Sequence, residues 1–202
     1  MKKGLVIIGI AIVAIAVYFI FFGKKTENGG NEDKPLAISK NSDSFNIPVG
    51  NLLQVYSRLH DAFVNWDSAN AALIADSVAT AANSIPLNTM KADSALTLTA
   101  KTYIGNIVAE CKGIQGDKNI EEQRRSFNIL SDNLFDFIRT VRYDKAAIYR
   151  IKCPMAFNDS EEGYWLSETS AIINPYLGNK HPHYKGGMIN CGEVVDSVYF
   201  TN

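Results

Sequence analysis

The sequence predicts a mainly α protein: an up-down four-helix bundle with a small C-terminal β-rich cap, preceded by an N-terminal transmembrane helix. Three observations lead there. Residues 4–23 carry no charge, residues 51–141 hold four apolar stripes at helical spacing, and after Tyr143 that spacing gives way to alternation.

The N-terminal element comes first. Met1-Lys2-Lys3 precedes the uncharged run from Gly4 to Gly23, and Lys24-Lys25 follows it. As a helix such a run is roughly 30 Å long, the thickness of a bilayer's hydrocarbon core. A cleavable signal would have an apolar region of about 7–15 residues and a small-x-small cleavage site. This run instead ends in Tyr18-Phe19-Ile20-Phe21-Phe22, and no cysteine follows it for lipid attachment. Residues 1–23 therefore read as an uncleaved anchor in the cytoplasmic membrane. The very short N-terminal tail places the remainder in the periplasm. Residues 24–48, polar and glycine-rich with Pro35 and Pro48, read as a flexible linker, and residues 49–202 as the folded domain.

Within that domain the first helix spans about Asn51 to Trp66, with Leu52, Val55, Leu59, Ala62, Phe63 and Trp66 on one side. Asp67 or Ser68 caps the second, which places Leu73, Ile74, Val78 and Ile85 together before Pro86 stops it. The third runs from near Asp93 to Gly113, its inward stripe being Leu96, Ala100, Tyr103, Ile104, Ile107, Val108 and Cys111. The fourth starts at Asn119, which with Glu122 resembles a capping box. Its stripe is Phe127, Leu130, Leu134, Phe137, Ile138 and Val141. Short connections between four such helices predict a bundle. Ala147–Lys152 then alternates apolar and polar residues as a strand does, with Tyr164–Ser167 and Val194–Phe200 as partners and Gly178, Gly186 and Gly187 marking loops. Trp165 is read as the anchor of the cap's apolar cluster.

Charge and motifs exclude several functions. Of the 20 basic residues, Lys2, Lys3, Lys24 and Lys25 belong to the anchor region, which leaves 16 against 21 acids and a formal −5. No basic patch for nucleic acid is visible. No Gly-x-Ser-x-Gly elbow, phosphate loop, His-Glu-x-x-His or Cys-x-x-Cys occurs, and three histidines give little material for acid–base work. The expected protein is not an enzyme. His60 reads as a surface residue and Cys111, on an apolar stripe, as a buried inert thiol.

The remaining signal is sulfur. Cys153 and Met155 flank Pro154, and on an extended segment residues i and i+2 face one way. Met188 and Cys191, at i and i+3, can meet on a turn. The four sulfurs suit a soft ion such as Cu(I), with His181 or His183 as imidazole alternatives. A structural zinc site would need both histidines to reach four ligands. The competing reading is a Cys153–Cys191 disulfide that staples the cap, stabilising it by roughly 2–4 kcal/mol. From spacing and compartment alone the disulfide is the simpler of the two.

Cys153-Pro154-Met155-Ala156, Tyr164-Trp165-Leu166-Ser167, Asn174-Pro175-Tyr176 with Gly178, and Met188 leading into Cys191-Gly192-Glu193-Val194 resemble, in order, a bacterial domain family of unsettled function. That domain occurs alone or appended to periplasmic adaptors of copper/silver-type efflux pumps. The resemblance extends over residues 50–197 and includes Asn119–Arg125. It implies an envelope setting and metal handling, with Cys153, Met155, Met188 and Cys191 at the family's sulfur positions. His181 and His183 belong to a loop longer than the family's. The expectation is thus a membrane-tethered domain that sequesters Cu(I) or passes it to an efflux adaptor or another envelope protein. The rival is a disulfide-stapled structural or interaction domain.

Overall fold

Among the described residues four helices come first and three strands after them. The computed structural model describes residues 41–200. The helices are α1 (Asp43–Val64), α2 (Ser68–Asn83), α3 (Ser94–Gly116) and α4 (Ile120–Val141), with one 3-10 turn, Leu87–Thr89, between α2 and α3. The strands are β1 (Ile148–Phe157), β2 (Glu161–Ser167) and β3 (Glu193–Val198), forming one antiparallel sheet in the order β2-β1-β3. The expected anchor, residues 1–23, and the expected linker up to residue 40 lie outside the described residues. Among the described residues no helix is long and apolar enough to cross a membrane.

Each helix packs against the one before it in chain order. α1 begins at Asp43, inside the stretch expected to be linker, and carries Pro48 within it. Phe45, Val49 and Leu52, at i, i+4 and i+7, are fully buried and extend the apolar stripe two turns toward the N-terminus. The polar composition around them conceals that stripe. Asp67 and Asp93 cap α2 and α3, accepting from the backbone N–H groups of Asn70 (3.0 Å) and Leu96 (2.8 Å). Asn119 caps α4 through the N–H of Glu121 at 2.9 Å. Glu122 turns to Arg125 instead of closing the expected box.

The stripe of α4 is buried as expected, from Phe127 through Val141. Two expectations fail on α2 and α3, where Leu73 is 72% exposed and Leu96 39%. The inward face of α2 is lined largely by small residues, Ala71, Ala75 and Ala82, around Ile74 and Val78, and that of α3 by Ala100 with Ile104, Ile107, Cys111 and Ile114. The periodicity is helical, but these residues, not the exposed leucines, mark its phase. His60 is also corrected: it is buried, with Nε2 donating to the Ile173 carbonyl at 2.8 Å.

Phe127 of α4 packs on α1 and on the loop after β2, its ring lying 5.3 Å from Tyr56, 5.0 Å from Phe63 and 6.2 Å from Tyr176. Polar side chains complete the junction. The outward backbone groups of edge strand β2 are capped from the helices and the following loop. The N–H of Tyr164 donates to Asn128 (2.7 Å), the N–H of Leu166 to the Tyr56 hydroxyl (3.0 Å), and the Tyr164 carbonyl accepts from the Tyr176 hydroxyl. An edge so capped offers no ladder to another strand.

Gln123 and Arg124 brace the helix ends. Gln123 Nε2 donates to the carbonyls of Ile114 (3.0 Å) and Asp117 (2.9 Å). Arg124 is fully buried over the Trp66 ring, donating from Nε to Pro175 and from Nη2 to Phe63, each at 3.0 Å. Burial lowers its guanidinium to about 10, partly opposed by Glu121, so it stays charged at neutral pH.

Candidate functional site

β1 is the central strand, and its residue Cys153 is fully buried opposite Gly163 of β2. The register shifts between Cys153 and Phe157, where Pro154 lacks an N–H for the ladder. Cys191 arrives from the other side, on the loop that leads into β3. Its N–H closes a turn on the Met188 carbonyl at 2.9 Å. Gly192 follows with φ of +150°, and a Cβ there would come within 2.8 Å of the Lys152 carbonyl and 2.9 Å of the Trp165 ring. Only glycine lets this loop approach β1 so closely.

The result is a cysteine pair, with the two sulfurs 3.9 Å apart. Both are free thiols, and their separation is almost twice the ~2.05 Å of a disulfide bond. The staple expected as the alternative is therefore not seen. Burial pushes the Cys153 thiol up to about 11, against the opposing pull of the Met155 backbone and the Asn174 amide.

Asn174 holds this arrangement. It is fully buried, donates from Nδ2 to the Cys191 carbonyl at 2.7 Å, and accepts at Oδ1 from the N–H groups of Tyr176 (2.8 Å) and Leu177 (2.9 Å). One side chain thus fixes the turn at Pro175 and the loop bearing Cys191. The sequence displays it only as an Asn-Pro turn signal. Its partner seventeen positions away is invisible until the chain is folded.

The other predicted donors are less gathered. Met155 and Met188 are half-buried against the core. His181 folds into its own loop: Nδ1 accepts from the backbone N–H groups of His183 and Tyr184, both at 3.2 Å, and the ring stands edge-on to Trp66 at 5.4 Å. Desolvation lowers its basicity. His183 is exposed beside Tyr184. Among the described residues no group of three or more His, Cys, Asp or Glu side chains is placed to hold a metal ion, so neither histidine completes such a group with the cysteine pair.

The fold and site define a helical bundle carrying a small sheet and a pair of thiols, Cys153 buried and Cys191 half-buried. Residues 52–145 match the model of a family described as "Protein of unknown function (DUF3347)". The similarity covers most of the helical part and ends before Cys153, so the sulfur positions lie outside it, and it carries no link to efflux adaptors. No curated protein and no solved structure matches the chain.

Proposed function

We propose that the chain binds one soft metal ion, of the Cu(I) class, through Cys153 and Cys191, and sequesters or transfers it without catalysis. In this reading an N-terminal anchor tethers the domain to the outer face of the cytoplasmic membrane, where an efflux adaptor or another envelope protein is the partner. The observation that carries it is two unbonded sulfurs 3.9 Å apart. With metal–sulfur bonds of about 2.3 Å, that separation subtends roughly 116° at the metal. This is a bent chelate and leaves room for a third donor. Met155 and Met188 are the soft candidates, and thioethers suit Cu(I).

Binding must displace the Cys153 proton, since burial holds that thiol protonated at neutral pH. Affinity therefore rises with pH, about tenfold per unit for each proton displaced. The test is titration of the full chain with Cu(I) against a chromogenic chelator. One equivalent is expected to compete, Cys153→Ser and Cys191→Ser each to abolish competition, and Cys111→Ala to leave it unchanged. Unchanged affinity in Cys153→Ser overturns the ligand assignment. No Cu(I) uptake, with one reactive thiol per chain, makes the protein a stapled interaction domain instead.

A further inference from the structure

Between α1 and the segment following β2 lies a cavity of about 470 Å³. Small-molecule sites occupy this size range. One wall is the α1 face bearing Leu53, Ser57 and Arg58, and the other is the end of β2 and the loop to Ile173, with Trp165 and Ile148 between them. Nothing in the proposed metal chemistry uses this space.

Two polar groups in the cavity lack partners. Trp165 is only 1% exposed, yet its indole N–H donates to no acceptor among the described residues. The other tryptophan behaves in the usual way, Trp66 donating to the Leu177 carbonyl at 3.0 Å. Buried indoles normally find an acceptor. The six-membered end of the Trp165 ring meets Gly192, which is not part of the cavity lining, whereas Trp165 itself is. The second group is Arg58. Its guanidinium has no carboxylate, carbonyl or ring partner among the described residues.

The acids of the cavity make no ion pair with it. Asp61, one turn further along α1, is largely exposed and lies beside His60. Glu168 acts on Tyr143, whose phenol it and, above all, burial push up. Tyr143 in turn packs at Gly50, eight residues before Arg58 on α1. Eight helical residues span about 12 Å, so the free acid and the free base sit toward opposite ends. The Arg58 end presents a guanidinium without an ion pair beside an apolar surface and an unused donor.

We infer that this cavity binds a small organic carboxylate with an apolar body. The carboxylate faces Arg58, an acceptor atom of the ligand reaches the Trp165 N–H, and the body covers Leu53, Ile148 and Ile173. Arginine suits this task because its planar fork matches a carboxylate's two oxygens.

The chain's two tryptophans make the test direct. In the ¹⁵N-labelled full chain, 3-phenylpropionate is titrated while both indole N–H resonances are followed, Trp66 serving as the internal control. The Trp165 resonance is expected to move and saturate while Trp66 stays. Arg58→Ala, a change at an exposed position, and the isosteric 3-phenylpropanamide should each weaken binding at least about tenfold. Trp165→Phe, which keeps the apolar body and loses the donor, should weaken it by a smaller factor when binding is read from the ligand's own signals. No saturable shift up to about 10 mM, well past a millimolar dissociation constant, overturns the inference. So does equal binding of the amide or tighter binding of 3-phenylpropylamine, since either removes the carboxylate from the recognition.

Discussion

Phe127 and Arg124 lie three positions apart on α4 and both are fully buried, yet they hold the molecule together by different means. Phe127 works by contact, stacking on Tyr56 and tilting against Phe63 and Tyr176. Arg124 works by direction, aiming separate N–H groups at the carbonyls of Phe63 and Pro175 and one at Glu121. The difference extends to the regions each serves. Among the helices, burial is mostly apolar and non-directional, so a neighbour of similar volume can substitute. Where the sheet and its loops meet the helices, single polar atoms make the join, and removing one leaves its buried partner unpaired.

Arg124→Ala tests the directional region most severely. It strips two buried carbonyls of their donor, uncovers the Trp66 ring and leaves a large void, and should cost roughly 3–5 kcal/mol. Arg124→Lys should recover little of this, because an ammonium cannot reproduce the fork. A shift in the urea midpoint measures both, and a loss below about 1 kcal/mol would mean the brace is dispensable. In the contact-driven region Leu134→Ala, at a fully buried site, should cost about 2–5 kcal/mol. Leu73→Ala, at a site 72% exposed, should stay within about 0.5 kcal/mol. Equal effects at the two leucines would show that the phase of α2 is misassigned.

A smaller change sharpens the contrast. Tyr56→Phe keeps the stack on Phe127 and removes only the hydroxyl, which pairs with Ser131 at 2.7 Å and accepts from Leu166 at 3.0 Å. The expected cost is about 1–3 kcal/mol, the range for an orphaned buried donor. Protection of the Leu166 amide against hydrogen exchange should fall more than that of amides inside α4. Uniform loss across both would assign the hydroxyl no special part in holding β2.

The same division explains what the sequence makes legible. α4 could be read almost residue for residue, because its stripe has one phase and large side chains from Phe127 to Val141. α2 and α3 could be read in rotation from Ile74, Val78, Ile104, Ile107 and Cys111, all buried, but the leucines at 73 and 96 mislead at one position each, and alanine packs closely without announcing itself. The strands follow from alternation after Tyr143. The thiol pair was foreseeable as Cys153 and Cys191, but spacing alone left open whether the two are bonded. What holds the pair could not be foreseen: Asn174 acts through a single amide, and no periodicity encodes one long-range hydrogen bond. His60 misled for a related reason. Arg58 and Asp61 flank it closely on the chain, while the carbonyl that accepts its hydrogen bond lies 113 positions away.

The two regions can finally be separated by alkali. Cys111, buried among the helices, is pushed by desolvation from 9.0 up to about 12, and Cys153 in the sheet likewise from 9.0 to about 11. In each case the folded chain keeps a proton that the unfolded chain surrenders near pH 9. The stability each neutral thiol contributes is therefore complete below that value and is lost as pH rises through the folded one. At pH 10, one unit above the unfolded value, each should cost up to about 1.4 kcal/mol. Urea unfolding at pH 8 and pH 10 measures these losses together with the share of the tyrosines whose phenols burial also pushes up, Tyr56 and Tyr176 above all. Cys111→Ala and Cys153→Ser should each lower the difference by about 1.4 kcal/mol. Above pH 11 the Cys111 share continues to grow while that of Cys153 levels off, since Cys153 has by then ionised in the folded chain as well. A Cys153→Ser variant with the full alkaline loss would mean that its thiol already ionises in the folded state near its ordinary value. The pair would then be open to solvent and metal alike, and the proton-linked rise in Cu(I) affinity should level off near pH 9.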